Sequence, residues 1–239
     1  EKGCQLTIPE YAQLRDGEKS LSGQTFSYKE YEDLRIGLLG TYQLYNACVV
    51  IETIEALRRK GWEISDSAIR FGLEQSQWTG RFEKIHEQPL IFVDGSHNPH
   101  GIKATAASLR TYFPQGGITF LVGVLADKDA IHMMEELPDM ASSFVTITPP
   151  SMRAMDSEAL AALLRTMTDK PVRATASVAE GCATALQVAG VDGVICAIGS
   201  LISMGFILLI SRKLKHMSVL LVAGIMIGYI CSAATDFLI

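Results

Sequence analysis

Five apolar runs, at residues 90–93, 118–124, 143–147, 172–174 and 194–198, recur through the second half of this chain with helix-length segments between them. Strands that are apolar along their whole length and alternate with crossover-length segments build a parallel sheet covered on both faces. The fold class that follows is α/β. Each run gives way to small or polar residues, DGSHNP, ADKD, TPPSMR and TAS in order. The carboxyl edge of an open sheet is where such folds bind ligands, so these loops are where chemistry is expected.

The stretch LIFVDGSHNPHG (90–101) carries the strongest local signal. A strand ending on Asp94 meets a helix start, with Asn98 suited to cap a helix whose first residue is Pro99. His97 then lies beside a helix N-terminus that favours phosphate. An ordinary strand-to-helix turn accounts for the same spacing. Further back, Leu44, Cys48, Val49, Ile51, Ile54 and Leu57 recur at helical spacing and end at Arg59–Lys60–Gly61, and Ser65 is placed to cap a second helix. Residues 72–78 lead into a hinge at WTGRFE. Residues 1–32 read as polar and turn-rich, with FSYKEY a short strand.

The 239 residues are 48% hydrophobic, with the excess after Val194, and carry a net charge of −5 that provides no basic footprint for nucleic acid. The five cysteines, Cys4, Cys48, Cys182, Cys196 and Cys231, form no CxxC pair, which points to reduced thiols in a cytosolic setting and away from zinc. No apolar leader opens the chain, and Glu1 in place of methionine suggests a missing front. Residues 217–235 are uncharged and as a helix would reach about 28 Å, enough to span a bilayer, with Arg212, Lys213 and Lys215 on the cytoplasmic side.

GTYQLYNA, IETIEALRRKGWEIS, WTGRFE, DGSHNPHG, VGVLADKD and TPPSMRAM, in this order and spacing, resemble the carboxyl half of the folylpolyglutamate synthase and dihydrofolate synthase family over about residues 26–201. The resemblance implies a Mur-ligase-like fold: a remnant of a central ATP-binding domain and hinge at 1–78 and a Rossmann-like carboxyl-terminal domain at 79–201. It implies an ATP-dependent amide ligase, cytoplasmic, joining L-glutamate to dihydropteroate or a folate through an acyl phosphate. Asn46 then corresponds to an adenine contact, Arg81 to a phosphate contact from the hinge and Asp94 to a ribose-hydroxyl acceptor. His97 corresponds to a group near the transferred phosphate that orients or stabilises charge. Lys128 would neutralise phosphate or substrate charge, and Arg153 would hold the glutamate carboxylate. Competing readings are a helix-side amide at Asn46, an ion pair of Arg81 with Glu83 or Glu87, and a solvated helix start around Asp127–Lys128–Asp129.

Two positions depart from the family pattern: Thr79 and Met152 stand where proline is expected, before GRFE and before Arg153. No GxxxxGK[ST] occurs in the 239 residues, so the phosphate-cradling loop and the Mg²⁺ ligands are expected in an amino half that this sequence lacks, and the chain alone is expected not to turn over. From about Met204 the sequence resembles a piece of the iron–siderophore ABC permease family, which reads 202–239 as an inner-membrane segment, the one expected membrane contact, joined near 199–203 as a chimera. Two further readings follow: a noncatalytic nucleotide-binding module tethered to a membrane, and a permease fragment.

Overall fold

The structure, a computed structural model, describes residues 6–199. Its first unit opens with a 3-10 turn at Tyr11–Gln13 and continues as an antiparallel meander, β1 (Leu14–Ser20), β2 (Gly23–Tyr28) and β3 (Tyr31–Ile36). Two helices follow, α1 (Gln43–Arg59) and α2 (Asp66–Glu74). Phe26, Tyr28, Tyr31, Leu34 and Ile36 on one face of the meander pack against Leu44, Cys48 and Ile51 of α1 and Ile69 and Leu73 of α2. Residues expected to be a turn-rich stretch with one short strand are therefore a three-stranded sheet. Only one face of that sheet is buried, and β1 is exposed through its middle, so it carries no apolar run.

Both helix limits read from the sequence hold. Ser65 caps α2, its Oγ accepting from the Ala68 amide at 3.1 Å. One residue assigned to the apolar stripe of α1 is corrected: Val49 is 45% exposed.

The second unit is a six-stranded sheet. It comprises β4 (Glu83–Glu87), β5 (Leu90–Asp94), β6 (Ile118–Val122), β7 (Ala141–Ile147), β8 (Val172–Thr175) and β9 (Val194–Ile198), in the spatial order β4-β5-β9-β6-β7-β8. All five expected runs are parallel strands. The sheet is nevertheless mixed, because β4 pairs antiparallel with β5 across a turn at Gln88–Pro89, whose peptide is cis. The EKIHE of β4 lies half-buried on the edge and has no apolar run to announce it.

Helices cover both faces. α3 (Pro99–Tyr112), α4 (Ala130–Met134) and α5 (Ser157–Met167) bury Ile102, Leu109, Met133 and Leu160 against Phe92, Phe120 and Phe144. On the other face α6 (Val178–Ala189) sets Cys182 and Ala185 against Leu121, Val145 and Ile195. β9, the last strand among the described residues, lies between β5 and β6, and the register aligns Asp94 with Ile198 and Ile198 with Val122. The strand ends are level, so the loops leaving β5 and β6 start from one edge.

Cys48, Cys182 and Cys196 are buried free thiols. Cys4 and Cys231 lie outside the described residues, as does the segment 202–239 read as a membrane and permease-like tail. Among the described residues no helix is long and apolar enough to cross a membrane.

Two helical glycines give opposite expectations. A Cβ on Gly181 would lie 2.3 Å from Ile147 Cγ2 and 3.1 Å from Leu121 Cδ1, whereas one on Gly72 meets nothing within 4 Å. Overpacking costs about 1–3 kcal/mol and exceeds the ~1 kcal/mol that alanine gains over glycine in a helix. Gly181→Ala is therefore expected to lower the thermal midpoint, and Gly72→Ala to stabilise by about 0.5–1 kcal/mol. Differential scanning calorimetry of the two variants reads both signs.

Candidate functional site

The loop after β5 is built by local caps. Asn98 Oδ1 accepts from the Gly101 amide at 2.8 Å, with Pro99 opening α3. Such a cap is worth about 1 kcal/mol and fixes where the helix begins. It leaves His97 between the strand end and the helix. His97 Nδ1 lies 2.8 Å from the Gly95 carbonyl. A carbonyl only accepts, so the proton sits on Nδ1 and Nε2 is the nitrogen open to a ligand.

His97 and Lys128 line one small pocket, together with Gly123, Val124 and Pro149 from the ends of the neighbouring strands. The Lys128 loop is tied to the Arg153 loop. The Ala126 amide donates to the Arg153 carbonyl at 2.7 Å, and the Met155 amide to the Val124 carbonyl at 2.9 Å. Arg153 itself is an exposed side chain paired with Asp127 at 3.2 Å, and Lys128 Nζ approaches the same Asp127 oxygen at 3.7 Å. Part of the competing reading of this segment is also present: Asp129 caps α4, accepting from the His132 amide at 3.2 Å and from the ring at 2.6 Å. Those contacts hold the Asp129 carboxyl below its usual range and raise His132.

The hinge forms a second group. Arg81 lies with its guanidinium 5.9 Å from the centre of the Trp78 ring. Neither carboxylate considered as its ion partner is engaged with it: Glu83 Oε2 accepts from the Gly80 amide at 2.7 Å, and Glu87 pairs with Lys84 at 2.7 Å. Burial pushes the Glu83 carboxyl up, partly offset by that amide. Trp78, Arg81 and Lys84 face Leu21, Ser22 and Leu38 across an open cleft of about 960 Å³.

Asp94, the residue expected as a ribose acceptor, closes strand β5. It is fully buried, and its oxygens are turned to the chain's own donors. Oδ1 accepts from the Ser96 amide at 2.8 Å, and Oδ2 from the Phe82 amide at 2.8 Å and the Tyr42 hydroxyl at 3.3 Å. Asn46 is exposed on α1, and its amide donates to Gln43 Oε1 at 2.8 Å rather than to backbone. The six residues thus fall into an edge group of His97, Lys128 and Arg153 and a hinge group of Arg81 and Asp94, with Asn46 one turn along the helix that follows Tyr42. Sequence reading missed Tyr42, since a tyrosine ahead of a helix signals nothing about a carboxylate 52 residues away. Among the described residues no three His, Cys, Asp or Glu side chains converge to hold a metal ion.

Comparison with known proteins bears on this geometry. The chain is 35% identical over 177 residues to the folylpolyglutamate synthase of Lacticaseibacillus casei, covering 65% of this chain and 41% of that protein. It is 35% identical over 125 residues to the dihydrofolate synthase/folylpolyglutamate synthase of Bacillus subtilis, covering 50% and 29%. Mycobacterium tuberculosis folylpolyglutamate synthase complexed with ADP and AMPPCP superposes with a TM-score of 0.73 at 26% identity, over 87% of this chain and 49% of that one. The chain spans less than half the length of these relatives. Residues 80–201, just over half of the chain and the whole six-stranded sheet with its site loops, match the Mur ligase, glutamate ligase domain, and the chain belongs to that family.

Proposed function

We propose that this chain carries the hinge and amino-acid-receiving part of an ATP-dependent carboxylate–amine ligase that adds L-glutamate to dihydropteroate or a folate. The observation that carries the reading is the convergence of His97 and Lys128 on one pocket at the carboxyl edge, with the Arg153 loop tied alongside. In such a reaction a carboxylate oxygen takes the terminal phosphoryl group of ATP, and the glutamate amine then attacks the acyl carbon, loses a proton and displaces phosphate. Negative charge accumulates on phosphoryl and acyl oxygens, so cations and oriented N–H donors supply most of the stabilisation.

Each side chain suits one part of that task. Lys128 is a point charge for a phosphate or the acyl oxygen, and His97 presents Nε2 to orient the same group. Arg153 is shaped for a bidentate carboxylate. Its bond to Asp127 joins side chains that are 67% and 43% exposed, and such pairs are worth only about 0–1 kcal/mol, so an incoming glutamate carboxylate can displace Asp127. Arg81, held on an indole face, is free to turn toward a nucleotide phosphate, and Asn46 toward an adenine. The Mg²⁺ that accompanies ATP has no donor set among the described residues, and the 239 residues contain no GxxxxGK[ST]. Turnover therefore requires a phosphate-cradling loop that this sequence does not contain.

Two outcomes test the reading. Calorimetric titration of ADP into the chain is expected to show binding that Arg81→Ala weakens at least tenfold, since hydrogen bonds to charged groups are worth about 1.5–3 kcal/mol. Equal heats for both proteins would remove Arg81 from the site. Titration with L-glutamate, followed by the Arg153 Nε–H resonance, is expected to saturate at lower concentration in Asp127→Asn, by up to about fivefold, because the internal competitor is gone.

A further inference from the structure

The buried carboxylate of Asp94 joins three parts of the chain. Its Oδ2 receives the Phe82 amide from the hinge and the Tyr42 hydroxyl from the entry to α1, while Oδ1 receives the Ser96 amide from its own loop. The Gly95 amide adds a second tie to the hinge, donating to the Gly80 carbonyl at 2.7 Å. Phe82 needs such restraint: its φ of 48° is left-handed, a conformation disfavoured for a bulky side chain. Its ring is buried against Phe92 and Tyr112, with centroids 5.1 and 5.8 Å away. Arg81 is its immediate neighbour in the chain, and Asn46 lies one turn after Tyr42 on α1.

We propose that Tyr42 is a positioning residue for the nucleotide site. Through Asp94 it braces the hinge that carries Arg81 against the helix that carries Asn46. The Asp94 carboxylate acts as the internal brace. This rests on the nucleotide reading of Arg81 above, and goes beyond it by assigning the device that sets the spacing of its contacts. Tyr42 is half-buried, and burial with the adjacent carboxylate holds its hydroxyl well above the usual tyrosine range, so it acts as donor throughout the ordinary pH range.

The test is Tyr42→Phe, which deletes one hydroxyl and keeps the ring. In nucleotide-free protein, amide exchange at Phe82 and Gly95 is expected to accelerate about fivefold or more, while exchange at Phe144 in the middle of β7 stays at the wild-type rate. The dissociation constants for ADP and for 2′-deoxy-ADP are expected to rise together by a similar factor. Asp94→Asn, which must point an NH₂ group at one of the three donors or lose one acceptor, is expected to exceed Tyr42→Phe in both readouts. Unchanged exchange at Phe82 and Gly95 in Tyr42→Phe overturns the brace whatever the nucleotide does. Failure of the wild-type chain to bind either nucleotide overturns the functional reading instead, and is seen before any variant is made.

Discussion

The hydrogen bond from the Phe82 amide to the buried Asp94 carboxylate joins the hinge that carries Arg81 to the end of strand β5, whose loop carries His97. A carboxyl group with no solvent exposure needs its oxygens met by donors, because a buried polar group without partners is costly. Three donors meet it, two from backbone amides that cannot swing away. Moving the hinge would strip one of them from a charge with no water to replace it. The junction is therefore stiff because of what its rupture would expose, rather than because any one bond is strong.

Stiffness at the junction would be of little use on a soft sheet. β5 is backed on both sides: β9 pairs with it residue for residue, and helices cover both faces with fully buried Phe92, Phe120 and Phe144 beneath α3, α4 and α5. Interiors packed to crystal-like density transmit displacement instead of absorbing it. The level register of Asp94, Ile198 and Val122 then carries the position of the hinge across to the Lys128 loop. From there the amide contacts of Ala126 and Met155 carry it to the Arg153 loop.

What was legible in the sequence follows from how local each determinant is. Strands buried on both faces must be apolar, so β5, β6, β7 and β9 announced themselves, while β8, an edge strand with Arg173 exposed, showed through its spacing; the Ser65 and Asn98 caps are written within four residues of their partners. The meander 14–36 hides because one face is wet, and β4 because it is an edge. The site residues were legible as positions on loops at the sheet edge. Their surroundings were not: the donors to Asp94 Oδ2 lie 12 and 52 residues away, and nothing near Asp94 in the sequence points to them. That is why the burial of Asp94 was not legible in the sequence.

The same distinction separates anchors from contacts. Asp94 and Phe82 are buried and richly bonded, while Arg81 and Arg153 are exposed and rest on partners of small worth, an indole face and a solvent-exposed carboxylate. An exposed cation–π contact contributes about 0.5–1 kcal/mol and an exposed ion pair about 0–1 kcal/mol. Exchanging either for a charge-assisted bond to a phosphate or carboxylate is favourable, since such bonds are roughly twice as strong as neutral ones. The backbone that carries each guanidinium is fixed in advance and only the side chain moves, which limits the ordering cost of binding to about 0.5–1.5 kcal/mol per immobilised side chain. Rigidity placed in the strand ends thus leaves the charged tips at the sheet edge free to meet a charged ligand.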